Sequence, residues 1–229
     1  MNRNVDYLLG GLLGVALILA AWREWLPYSL TETLGFVTGA ACVYLVVRRN
    51  VWNFPLGITN NLFFLVLFGQ VRLYGDAGLQ LVYIALGAQG WIWWLRGGQN
   101  HTELRVNRAP PRVLSVLAGL VVLGTVGLML ALQLARGAAP FLDAFTTVLS
   151  LAAQYLLNRK SIENWYLWIT VDVLYIYLYI VRDLQLTALL YAVFLGLCLA
   201  GLWQWRRALR REATSQDAAL APVRETVHG

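Results

Sequence analysis

Three side chains spaced i, i+3 and i+7 stand out in an otherwise apolar stretch: Trp165, Trp168 and Asp172. On a helix this spacing puts them on one face. That face offers two indole planes and, about one turn further on, a carboxylate. An indole attracts a cation by roughly 0.5–2 kcal/mol, the larger figure applying when water is excluded. Asp172 falls near the middle of its apolar run, where an ionisable group is costly and marks a functional candidate. The bland alternative is a carboxylate held by neighbouring helices for packing alone. Asn164 opens the same run.

A second polar set lies earlier in the chain. Asn60 and Asn61 end the run Trp52-Asn53-Phe54-Pro55-Leu56-Gly57-Ile58-Thr59-Asn60-Asn61, in which Gly57 leaves space beside Asn60. Gln80 shares a helix face with Tyr83 and Gly87. Asn and Gln both donate and accept, which fits an amide or a sugar hydroxyl. Interhelical hydrogen bonding is the competing role for each of them. Pro55 and Gly57 loosen a helix and would ease a bend there.

Other chemistries fail on inventory. His101 and His228 lie in a loop and in the C-terminal tail, so no histidine triad or zinc site is expected in the apolar part. There is no P-loop. The one lysine, Lys160, sits at a helix end, which rules out a mid-membrane Schiff base. Cys42 and Cys198 each sit within an apolar run and read as small core residues. The chain is therefore not expected to be an enzyme, to hold a cofactor or metal, or to bind nucleic acid. Its net charge of +6 comes from basic residues placed between apolar runs.

The elements that must position these residues are membrane helices. Of the 229 residues 59% are hydrophobic and 13% charged, against about 25% charged in a soluble domain. A bilayer core needs about 20 apolar residues as helix. Eight stretches meet or approach this: 7–26, 33–47, 53–71, 77–95, 112–134, 141–158, 164–181 and 186–205. Trp52, Trp91, Trp93 and Trp94 fall near helix ends and read as an interfacial belt.

The chain also repeats itself at an offset of 111 residues: Tyr155 pairs with Tyr44, Arg159 with Arg48, Asn164 with Asn53, and Trp205 with Trp94. The repeat divides the helices into three, one linker and three, with one extra helix in front. A single linking helix gives both repeats the same orientation, as in transporters whose substrate site lies where the repeats meet. The expected fold is thus an all-α polytopic membrane protein with eight transmembrane helices. The expected parts are an extra helix in 1–30, repeats in 31–97 and 139–207, a loop and linking helix in 98–138, and a disordered tail in 208–229. With eight spans, 14 of the 18 Lys and Arg residues fall on the side of both termini; the others are Arg23, Arg72, Arg136 and Arg182. The positive-inside rule makes that side cytoplasmic.

Several runs resemble the PnuC family of bacterial vitamin transporters. They are Gly57-Ile58-Thr59-Asn60, Leu73-Tyr74 with Leu79-Gln80, Gly90-Trp91-Ile92-Trp93-Trp94 and Pro140-Phe141-Leu142-Asp143. The most specific is Arg159-Lys160-Ser161-Ile162-Glu163-Asn164-Trp165-Tyr166-Leu167-Trp168. The resemblance covers about residues 33–205. It implies a SWEET-like three-plus-one-plus-three core, a homotrimer in the bacterial inner membrane, and facilitated diffusion of nicotinamide riboside trapped by cytoplasmic phosphorylation. It places Trp165 and Trp168 beside the substrate and puts the family's polar positions on Asn60 and Gln80. Thiamine or riboflavin transport, within the same family, and a SWEET-type sugar uniporter are the alternatives.

Overall fold

The computed structural model describes residues 3–23, 25, 30–70, 72, 74–135 and 139–227. Leu73, Arg136 and His228, which enter the sequence expectations, lie outside the described residues. Eight α-helices follow in order: α1 (Arg3–Trp22), α2 (Leu30–Val47), α3 (Asn53–Gln70), α4 (Tyr74–Arg96), α5 (Pro111–Leu134), α6 (Pro140–Asn158), α7 (Asn164–Val181) and α8 (Gln185–Val227). Their bounds track the eight apolar stretches closely. Among the described residues, four helical segments are long and apolar enough to cross a membrane: Pro111–Leu134, Pro140–Asn158, Asn164–Val181 and Thr187–Arg211. Thr33–Val47 is apolar but shorter.

Local chemistry sets the helix ends. Pro111 and Pro140 occupy the first helical positions of α5 and α6, where the missing N–H is no loss. Pro55 falls in the first turn of α3, which runs unbroken from Asn53 to Gln70. A proline in that position removes no intrahelical hydrogen bond. Helix α8 continues to Val227, past the point where a disordered tail was expected. Residues 208–221 are rich in Ala, Arg, Glu and Gln, good helix formers that carry the register onward.

The chain divides into two compact units, Met1–Trp91 and Ile92–Gly229. In the first, α1 packs on α2 and α2 on α3. In the second, α5 packs on α6, α6 on α7, and α7 on α8.

One turn occurs in both units. In the first, Arg49 and Asn50 donate to the carbonyls of Val46 and Leu45; in the second, Lys160 and Ser161 donate to Leu157 and Leu156. Each is a Schellman cap, with Arg49 at φ 57° and Lys160 at φ 54° in the left-handed region. Asn53 then folds its side-chain amide back onto the Asn50 carbonyl at 2.8 Å, and Asn164 does the same to Ser161 at 2.6 Å.

The second unit ties its turn down further. Asn107, in the loop between α4 and α5, exchanges backbone hydrogen bonds with Lys160 and Ile162. Ser161 Oγ donates to Asn107 Oδ1 at 2.8 Å, and Glu163 accepts from the Ala109 N–H at 2.9 Å. The Lys160 ammonium donates to the Leu104 carbonyl at 2.8 Å and lies 4.4 Å from the Trp94 ring centroid. Lys160 is buried, and its charge is met by a carbonyl dipole and an aromatic face.

Candidate functional site

Helix α7 carries a stripe at Trp165, Trp168, Asp172, Tyr175 and Tyr179, spaced alternately three and four residues apart. Helix α8 answers with Tyr191, Phe194, Cys198, Gly201 and Trp205 at the same spacing. This is the pattern of an antiparallel pair packed along a heptad seam. The Trp165 and Trp205 rings meet edge to face, centroids 5.3 Å apart and planes at 87°. Trp205 also meets Trp94 at 6.0 Å. Further along, Cys198 of α8 lies beside the Asp172 carboxylate. At the far end Tyr191 packs against Tyr175 and Tyr179.

The face expected to present two open indoles therefore divides its labour. Trp165 is 1% exposed and wedged against Gly201 and Trp205. Trp168, one turn deeper, is only half-buried. Among the described residues no ring contact or side-chain hydrogen bond engages it. Asp172 is 6% exposed, and its Oδ2 has no hydrogen-bond partner among the described residues. The same holds for Asn164 Oδ1 and Trp165 Nε1. Buried polar atoms are almost always satisfied, and α7 carries three that meet no partner among the described residues. Asn164 is otherwise committed to its turn.

In the first unit, Asn60 donates from Nδ2 to Thr38 Oγ1, which itself bonds back to the Leu34 carbonyl at 2.6 Å. Asn60 thus links α3 to α2. Asn61 and Gln80 are half-buried, and among the described residues neither makes a side-chain hydrogen bond within the protein. Tyr83 is half-buried on α4. Of the expected tryptophan belt, Trp52 is 66% exposed and fits the role, whereas Trp94 is 2% exposed and belongs to the core.

Sequence reasoning missed Tyr175, Tyr179 and Tyr191. The three-four spacing that linked Trp165 to Asp172 continues through Tyr175 and Tyr179 and could have found those two.

Residues 29–207 match the family model described as nicotinamide mononucleotide transporter. The chain belongs to this family. A nicotinamide riboside transporter, PnuC, of Escherichia coli K12 is 29% identical over 214 residues, covering 81% of this chain and 89% of the relative. The riboflavin/roseoflavin transporter RibM of Streptomyces davaonensis is 26% identical over 189 residues, covering 80% and 87%. The crystal structure of a vitamin B3 transporter, PnuC, superposes with a TM-score of 0.66 at 24% identity, covering 89% of this chain and 92% of that one. At that identity the likeness speaks for the fold. Membership of a transporter family and the apolar helices together make this a multi-pass membrane protein.

Proposed function

We propose that this family member takes up nicotinamide riboside across the membrane by facilitated diffusion, with no ion gradient required. The observation that carries the reading is Asp172, a buried carboxylate with one unmatched oxygen, one turn from the half-buried Trp168. Nicotinamide riboside is a flat pyridinium cation bearing an amide and a ribose. Trp168 stacks on the ring, Asp172 offsets its charge, and Trp165 forms the wall that fixes the start of α7. On the same helix Asn164 offers its unmatched Oδ1 to the amide or a hydroxyl, groups that otherwise lose their water at a cost.

The family description names a mononucleotide, while the Escherichia coli relative is named for the riboside. The charge of this chain favours the riboside. Helices α6 and α7 contain no Lys or Arg, nor do residues 185–205 of α8. A phosphate dianion among them would meet Asp172 and no cation.

The wider reading has eight spans in a three-plus-one-plus-three SWEET-like core behind an extra first helix. Both termini face the cytoplasm of the inner membrane, the chains assemble as homotrimers, and cytoplasmic phosphorylation traps the product. The turn shared by the two units supports the repeat, and the distribution of basic residues supports the orientation.

The test is ligand stabilisation followed by transport. A ligand bound by the folded state raises its melting temperature. Nicotinamide riboside should do so and should equilibrate across proteoliposomes; nicotinamide mononucleotide should do neither. Stabilisation by riboflavin or thiamine but not by the riboside would move the assignment to those vitamins.

A further inference from the structure

Beyond Asp172 the α7 stripe changes from tryptophan to tyrosine. Tyr175 and Tyr179 stack with centroids 6.0 Å apart and planes 22° apart. Tyr191 of α8 closes onto both, at 4.9 and 5.3 Å. One hydroxyl is fixed as well: Tyr175 donates to Thr146 at 3.3 Å. All three rings are half-buried, so each keeps some open surface.

Two carboxylates bracket the rings. Asp143 is exposed in the first turn of α6, three residues before Thr146, which accepts from Tyr175. Asp172 lies three residues before Tyr175 on the same stripe of α7. An aromatic face is itself negative. The three helices that build the cluster bring no Lys or Arg to it, since none occurs in α6, α7 or residues 185–205. Arg182 lies in the α7–α8 turn beside Asp183. Seven residues of helix rise, about 10 Å, separate Asp172 from Tyr179. That is room for a stop separate from the Trp168–Asp172 level.

We propose that Tyr175, Tyr179 and Tyr191 form a second subsite that receives a flat organic cation and selects it over a neutral ring of the same shape. The proposal deepens the transport reading and rests on it for the identity of the cargo. The same rings also pack the α7–α8 seam. Packing is indifferent to ligand charge and recognition is not, so charge separates the two roles.

The probes are N-methylnicotinamide methylated on the ring nitrogen, a pyridinium cation, and nicotinamide, its neutral counterpart. Binding of each to the full-length protein is measured by titration calorimetry, with riboside uptake into proteoliposomes in parallel. Tyr191→Leu removes the aromatic face, Tyr191→Phe keeps it, and Tyr175→Leu repeats the loss on α7. The expected result is roughly five- to thirty-fold weaker N-methylnicotinamide binding in both Leu variants. Nicotinamide binding should hold within about twofold, and Tyr191→Phe should stay close to wild type. Equal changes for both probes, no change in either Leu variant, or a Phe variant as weak as the Leu variant would overturn the subsite. Should Tyr191→Leu fail to fold, Tyr175→Leu decides. A wild type that prefers the cationic probe through Tyr191 but moves no riboside would sink the transport reading and leave the subsite standing. A wild type that moves riboside but binds the two probes alike would do the reverse.

Discussion

The indole of Trp165 fills the space that a Cβ on Gly201 would occupy. The three atoms nearest to such a Cβ all belong to the indole, and Trp165 is in turn held by Trp205. Neither ring can swing away freely. Gly201→Ala should therefore cost about 1–3 kcal/mol, the usual range for overpacking a core. Gly196 has open space around its Cβ position. Gly196→Ala should be neutral or stabilising by up to about 1 kcal/mol, since Ala is the better helix former. Paired thermal denaturation in one detergent checks both; similar melting temperatures for the two variants would refute the wedge.

Trp168 and Trp165 should part company under mutation. Trp168→Ala should weaken riboside binding by roughly five- to thirty-fold, one to two kcal/mol of stacking, with little change in melting temperature. Trp165→Phe should mainly lower the melting temperature, because the ring it shortens is core. Calorimetry and thermal shift on each variant separate affinity from stability. Identical behaviour in both measurements would mean the division of labour along α7 is wrong.

Asp172→Asn addresses coupling. The Asn variant should still equilibrate riboside across proteoliposomes, with affinity for the cation reduced by about tenfold, in line with loss of one partly desolvated charge partner. Wild-type protein without a kinase should not accumulate substrate under an imposed pH gradient. Accumulation that the Asn variant loses would make Asp172 a proton-coupling group and end the passive reading.

Lys160→Met keeps most of the side-chain length and removes the ammonium. It should cost about 1–3 kcal/mol, because the Leu104 carbonyl loses its donor in a buried setting. Amide hydrogen exchange in residues 103–109 should quicken while α7 stays protected. Unchanged exchange in that loop would show that Lys160 does not hold it.

Helix positions were legible in the sequence because they depend on apolar run length and on proline placement; the expected 164–181 is α7 as observed. The turn at Lys160 was foreshadowed by the matches of Arg159 to Arg48 and Asn164 to Asn53, since a shared backbone path retains the residues that cap it. Which side of α7 faces α8 was not legible. The spacing of Trp165, Trp168 and Asp172 defines a face but not its neighbour, and both a ligand and a partner helix want large rings there. Gly201 and Cys198 hold the missing information, as small residues set opposite Trp165 and Asp172. Trp94 was misplaced for a similar reason, because a tryptophan near a helix end suits either the lipid interface or a core ring cluster. The loop at 103–109 carries no periodicity, so its docking onto the turn could only come from the structure.

The two matching turns share one backbone path and differ in what holds them. Arg49 and Lys160 hold the same left-handed backbone, yet Arg49 is exposed while Lys160 is buried under a strap of the loop between α4 and α5. The same bend is an anchor in one place and a plain corner in the other. The backbone at 158–164 should then be the slower of the two turns to open, so a bend of one shape can be a fixed point or a yielding one according to what is laid across it.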